Sequence, residues 1–171
     1  MKRVLLAAVA GLVIASAASA QSLTRPVSVG VGGGVSMADR SMGIDLNRGY
    51  HLEAMVGLSV PGLPVGLRGE AMYHHLGVYD ADAALNITSI GGSLTYDVMP
   101  TPMVTPYLVG GGALYHLTAS GADNGGVSKF GVSGGAGVRF HLAQMRMFAE
   151  GRYHMIKGAT NLVPVSLGIM F

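Results

Sequence analysis

Six histidines, a Ser/His/acid grouping and nine charged residues spaced through apolar segments are the groups in this chain that could do chemistry. The histidines are His51, His74, His75, His116, His141 and His154. No carboxylate–histidine spacing matches a zinc or di-iron motif, and the chain has no cysteine to supply a thiolate. His74 and His75 are adjacent, so on a strand they point to opposite sides. Ser120, His116 and Asp123 contain the types needed for nucleophilic catalysis. That chemistry requires serine and histidine within hydrogen-bond reach and a third group orienting the base, and nothing in the spacing enforces it. The glycine runs Gly32–Gly34 and Gly110–Gly112 lack the Lys-Ser/Thr and the helix that make a phosphate loop. Asn86-Ile87-Thr88 matches a glycosylation acceptor, a pattern too common to carry weight. These considerations assign no catalytic, cofactor-binding or metal-ligating residue, and the expectation is a protein that is not an enzyme.

The elements that carry these residues have a period of two. Val, Ile, Leu, Tyr and Met alternate with polar or tiny residues between frequent Gly and Pro, which is the strand signal. Eight strands are predicted: Pro26–Ala38, Tyr50–Val60, Val65–Leu76, Ile87–Val98, Val104–Leu117, Ser128–His141, Gln144–Ile156 and Val163–Phe171. Asp39–Gly49, Gly77–Asn86 and Thr118–Val127 are long connections. Pro61–Pro64, Met99–Met103 and Leu142–Ala143 are short, and Lys157–Leu162 is intermediate. An antiparallel meander puts successive connections at opposite ends, so one end has turns and the other loops, as in outer-membrane barrels. An even strand count lets the first and last strands meet, which removes the sheet edges.

Which face looks outward is decided by aromatics and charge. Tyr50, Tyr73, Tyr115, Phe130 and Tyr153 are placed on the apolar register near the long-loop end. Tyr96, Tyr107, Phe140 and Phe171 are placed on it near the short-turn end. Phe130 to Phe140 spans roughly 33 Å of strand, or about 25 Å once tilted, the height of an apolar band between two aromatic girdles. Glu53, Arg68, Glu70, Asp97, Lys129, Arg139, Arg146, Glu150 and Arg152 all fall on the opposite register. Because a lipid-facing Arg or Lys at mid-depth costs roughly 2–4 kcal/mol, this separation predicts a membrane barrel with a charged interior.

An eight-stranded barrel is just wide enough for side chains to fill it. Hairpin register puts Met55 opposite Glu70 and Gly57 opposite Arg68, predicting a cluster of Glu53, Arg68 and Glu70. It puts Gly137 near Glu150 and Gly135 near Arg152, predicting a second cluster of Arg139, Arg146, Glu150 and Arg152. Four acids against five bases are near balance, which fits a mutually neutralised, structural lumen network. His51, His74, His116, His141 and His154 are placed on the inward register as hydrogen-bonding groups, and His75 outward.

Composition agrees. Half of the residues are apolar and 12% are charged, well below the quarter usual in soluble domains. Met1–Ala20 begins with Lys2 and Arg3, continues through an apolar run of about 12 residues and ends Ala18-Ser19-Ala20. It reads as a signal peptide, too short for a spanning helix. Residues 21–171 then form one domain, with nine basic residues balancing nine acidic ones. Nucleic acid loses its electrostatic basis as a partner.

With eight strands, an exported start and the ending Val163-Pro-Val-Ser-Leu-Gly-Ile-Met-Phe171, the chain resembles the outer-membrane β-barrel domain family of Gram-negative bacteria, which includes the small OmpA- and OmpX-type barrels. Phe148-Ala-Glu-Gly-Arg-Tyr153 is similar to the family's aromatic–acid–Arg–Tyr run. The resemblance implies that Leu167, Ile169 and Phe171 form the last-strand signal read by the barrel-assembly machinery, although Ser166 stands where Gly is usual. It further implies outer-membrane lipid as surroundings, a monomer, no cofactor, and no peptidoglycan anchoring through an appended periplasmic domain. The expected role is a non-enzymatic outer-membrane protein with loops available for envelope support or adhesion. The alternatives are a narrow pore or conduit for small hydrophobic molecules and, since some small barrels of this kind act on lipid A, a lipid A-modifying enzyme.

Overall fold

The computed structural model describes residues 27–39, 48–60, 62–77, 84–119, 126–142 and 145–171. The signal segment 1–20 and the loop residues Arg40, Asp45, Asp80, Asp82, Ser120 and Asp123 lie outside them. Eight strands run in sequence order: β1 Val27–Ala38, β2 Gly49–Ser59, β3 Val65–Gly77, β4 Ala84–Asp97, β5 Val104–Ala119, β6 Val127–Leu142, β7 Met145–Ile156 and β8 Leu162–Met170. Each pairs antiparallel with the next, and β1 pairs with β8 to close an up-and-down barrel. Phe171 prolongs the closure: its N–H donates to the Val29 carbonyl (2.8 Å) and its carbonyl accepts from Val29 N–H (3.0 Å).

The expected hairpin registers are present, with Met55 opposite Glu70, Gly57 opposite Arg68, Gly137 opposite Glu150 and Gly135 opposite Arg152. The β4–β5 hairpin reaches further toward the loop end than expected, because Leu85–Ala119 and Asn86–Thr118 continue the ladder. At the opposite end Gly62 turns the β2–β3 connection with φ 81°, a conformation that glycine adopts without the Cβ penalty.

Leu52, Val56, Leu67, Ile90, Leu94, Leu114 and Leu167 all point outward and are exposed, while every described ionic residue of the predicted lumen set is buried or half-buried. Strand β5 departs from the expectation. Tyr107 and Tyr115, assigned to the aromatic girdles, are 1% exposed and point inward, whereas Leu108 and Leu114 face out. His116, assigned to the lumen, is exposed on the outer wall. β5 has large apolar residues on both registers and no charged residue. Neither rule that set the phase elsewhere could therefore act on it. Leu108→Arg sets a cation against lipid and is expected to cost about 2–4 kcal/mol, read from urea unfolding in bilayers.

Small residues on one wall make room for large ones on another. A Cβ at Gly30, Gly32, Gly137 or Gly168 would come within 3 Å of a lumen side chain. At Gly34 the obstacle is backbone, since a Cβ would lie 1.9 Å from the Val165 carbonyl oxygen across the β1–β8 seam. Gly34→Ala must therefore push the closing strands apart. A loss of about 1–3 kcal/mol is expected, with earlier thermal conversion of the heat-modifiable gel band.

Candidate functional site

The lumen is filled in layers. Nearest the long-loop end, Leu76, Ile87, Tyr115, Ile156 and Leu162 form a buried apolar cap. Against it lie His51, His74 and His154, hydrogen-bonded to Ser36, Ser166 and Tyr115. The ionic centre follows, flanked by Met55, Phe148 and Met170. Toward the short-turn end, Arg139 donates to Asp97 at 2.6 Å and lies over the Tyr107 ring, with Cζ 4.2 Å from its centroid.

The centre is a ring of alternating charge built by two strands. β3 contributes Arg68 and Glu70, and β7 contributes Glu150 and Arg152, each pair two residues apart and so on one face. Arg68 Nε donates to Glu70 Oε1 at 2.6 Å, and Arg68 Nη2 donates to both Glu150 oxygens at 3.0 and 2.9 Å. Arg152 donates from Nη1 and Nη2 to the two Glu70 oxygens at 2.6 and 2.9 Å, and from Nε to Glu150. The guanidinium fork matches a carboxylate pairwise, so the ring is self-neutralising and satisfies most of its own hydrogen-bonding capacity. Tyr107 donates to Glu150 Oε2 at 2.6 Å, and Ser93 donates to Glu70.

These contacts regroup the expected clusters. Each predicted cluster joined hairpin neighbours, but Arg68–Glu150 and Arg152–Glu70 cross the lumen between β3 and β7. Glu53 does not join the ring. Its two oxygens are buried and make no hydrogen bond among the described residues, and Oε1 lies against Gly32. Arg139 leaves the second expected cluster for Asp97. Arg146 and Lys129 are half-buried on the inward register, toward opposite ends, opposite His141 and Tyr115 respectively. Side-chain length explains the regrouping: an arginine reaches past the small residues of neighbouring strands, so its partner is set by the lumen cross-section rather than by the ladder. Tyr107 and Ser93 belong to the site although neither was singled out for it. Tyr107 was obscured by the ambiguous phase of β5, and Ser93 is one of many inward serines.

Of the girdle set, Tyr50, Tyr73, Phe130 and Tyr153 stand outward toward the loop end, and Tyr96, Phe140 and Phe171 outward toward the turn end. Leu167 faces outward and Ile169, paired with Val31, is half-buried. His75 lies on the outer register, 2.7 Å from Asn86 Oδ1. His141 is half-buried at the turn end. On the outer wall His116 Nδ1 is 3.1 Å from Ser128 Oγ. Among the described residues no group of three or more His, Asp or Glu is placed to hold a metal.

A closed eight-stranded wall, aromatic bands and an ionic interior are the attributes of a lipid-embedded barrel, and the family model for the outer membrane protein beta-barrel domain matches residues 5–162. The chain belongs to that family. As an outer-membrane barrel it has solved structures of the same fold. The Neisserial surface protein A, NspA, is 20% identical, with 85% of this chain and 96% of that one covered and a TM-score of 0.68. Ail, the attachment invasion locus protein of Yersinia pestis, is 18% identical over 85% of this chain and 96% of its own, with a TM-score of 0.52. The outer membrane enzyme PagL is 14% identical over 84% and 98%, with a TM-score of 0.51. At these identities the likeness is one of fold. No curated protein matches the chain.

Proposed function

We propose that this chain is a non-enzymatic integral outer-membrane protein, exported by the signal peptide Met1–Ala20 and inserted as a monomer by the barrel-assembly machinery reading Leu167, Ile169 and Phe171. Its lumen braces the wall, and the loops Asp39–Gly49, Gly77–Asn86 and Thr118–Val127 meet the outside for envelope support or adhesion. The observation that carries this reading is the closed Arg68–Glu70–Arg152–Glu150 ring, which occupies the lumen with charges already paired to one another. An ion crossing the barrel would have to break those bonds and pass the apolar cap. The relative named for attachment and invasion shares the fold and lends the loop reading its analogy.

Conductance tests this against the narrow pore or hydrophobic conduit. Purified protein in planar bilayers is expected to be silent. Steady openings that change in Glu70→Gln or Arg152→Gln would transfer the function to transport.

A second reading, lipid A modification, is favoured by one observation. His116 faces the outer wall with Ser128 3.1 Å away, both exposed near the loop end where acyl esters of the outer leaflet lie. Among the described residues Ser128 is the serine within reach, and Ser120 and Asp123 lie outside them. Among the described residues no carboxylate hydrogen-bonds to His116 to complete a triad. Mass spectrometry of lipid A from cells with the gene, without it, and with Ser128→Ala is expected to give three identical spectra. A species lost in both the deletion and Ser128→Ala would make the protein an enzyme.

A further inference from the structure

The histidine layer has a chemistry that the brace does not require. His51 of β2, His74 of β3 and His154 of β7 are all fully buried. Ring centroids are 5.4 Å apart for His51 and His74, and 6.1 Å for His74 and His154. Ser36 Oγ lies 3.0 Å from His51 Nδ1 and 2.8 Å from His74 Nδ1. A hydroxyl has one proton, so it donates to one ring and accepts from the other, and the two rings must be opposite Nδ1 tautomers. Ser166 Oγ is 2.8 Å from His51 Nε2, and Tyr115 Oη is 2.9 Å from His154 Nδ1. Every one of these partners is a neutral hydroxyl. Nε2 of His74 and Nε2 of His154 are buried with no hydrogen-bond partner among the described residues.

No carboxylate around the layer hydrogen-bonds to a histidine among the described residues, and only Glu53 stands outside the ion pairs. Glu70 and Arg152 share with His154 a cavity of about 10 Å³, room for about one water, but they are bonded to each other. Glu150 is held by both ring arginines. Lys129 of β6 pairs across the ladder with Tyr115 of β5 and is itself a cation. β1, β4 and β8 present hydroxyls, from Ser36, Ser89 and Ser166. Glu53, two residues from His51 on the same face of β2, makes no hydrogen bond to a histidine among the described residues. A proton added to His74 or His154 therefore creates a buried N–H cation without an acceptor, and a second one adds a like charge one ring away.

We propose that this layer is an acid-operated latch on the outer end of the lumen. Neutral rings keep the apolar cap packed. Acid charges them, the rings separate, and water enters the loop-end half of the barrel. Imidazole is the side chain whose ordinary titration range suits such a switch, and geometry makes three rings respond together.

The test is amide hydrogen exchange of the refolded full barrel in lipid nanodiscs, expressed as protection factors at pH 7.5 and pH 4.5 so that intrinsic rates cancel. In the wild type, protection in the loop-end halves of β2, β3 and β7 is expected to fall about tenfold or more at pH 4.5. In His74→Phe/His154→Phe, which fills similar space without a titratable group, it is expected to change less than about twofold. His116→Gln, on the outer wall, should behave as wild type. Undiminished wild-type protection at pH 4.5 overturns the latch. An equal fall in the double variant also overturns it and assigns the acid response to the lumen carboxylates. Should that variant not fold, ¹⁵N shifts of the wild-type imidazoles decide: the rings must gain protons over the interval in which protection falls, and neutral rings there overturn the proposal.

Discussion

Glu150→Ala is expected to destabilise the barrel by about 3–5 kcal/mol, the range for breaking a buried ion pair by removing one partner. Glu150 accepts from Arg68 through two bonds, from Arg152 and from Tyr107, and it is 3% exposed. Its loss leaves two buried guanidinium groups sharing one carboxylate, Glu70. Urea unfolding of the variant in bilayers measures the loss. Replacing Arg68, Glu70, Glu150 and Arg152 together by apolar residues of similar volume is expected to cost much less, because the desolvation penalty of four ions disappears with their attraction. A single variant within about 1 kcal/mol of wild type would mean that the ring is hydrated and does not brace the wall.

The second large effect concerns Phe148. Its ring is 2% exposed and packs with Met55 and Met170 into a notch formed by glycines. A Cβ at Gly168 would be 2.4 Å from two ring carbons, and one at Gly32 would be 2.9 Å from Cζ. Phe148→Ala empties this notch on the closing side of the barrel, where β1, β7 and β8 meet, and is expected to cost about 3–5 kcal/mol. Gly168→Ala in the wild-type background should also destabilise, through overlap with the ring. In the Phe148→Ala background the overlap with the ring is gone and the clash with the Val31 carbonyl oxygen at 2.5 Å remains, so the added methyl should destabilise less than in the wild type. The double-mutant cycle therefore carries a coupling of about 0.5–3 kcal/mol. Additive effects would show that Phe148 does not occupy the notch in the membrane.

Seven of the eight strand phases were legible in the amino-acid pattern because most strands carried a constraint that a membrane barrel cannot relax. A strand holding Arg68 and Glu70, or Glu150 and Arg152, has one orientation compatible with lipid, whatever its apolar residues suggest. β1 and β8 lack charges, but their glycines and serines on one register and branched residues on the other gave the same contrast. β5 has neither, and there the contrast failed: Tyr107 and Tyr115 are as apolar by type as Leu108 and Leu114. Their hydroxyls decide the matter, since each is placed to meet a polar partner in the lumen, Glu150 or His154.

The same division separates the barrel from its interior. Strand number, closure and hairpin register follow from alternation and connection length, because neighbouring strands pair through the backbone and a one-residue slip would turn every side chain over. Partnership across the lumen has no such local rule. Arg68 meets Glu150, Arg139 meets Asp97 and His51 meets His74 because long side chains from distant strands converge on one axis at the same height. That height depends on the tilt and stagger of the closed sheet, which arise only when β8 docks against β1.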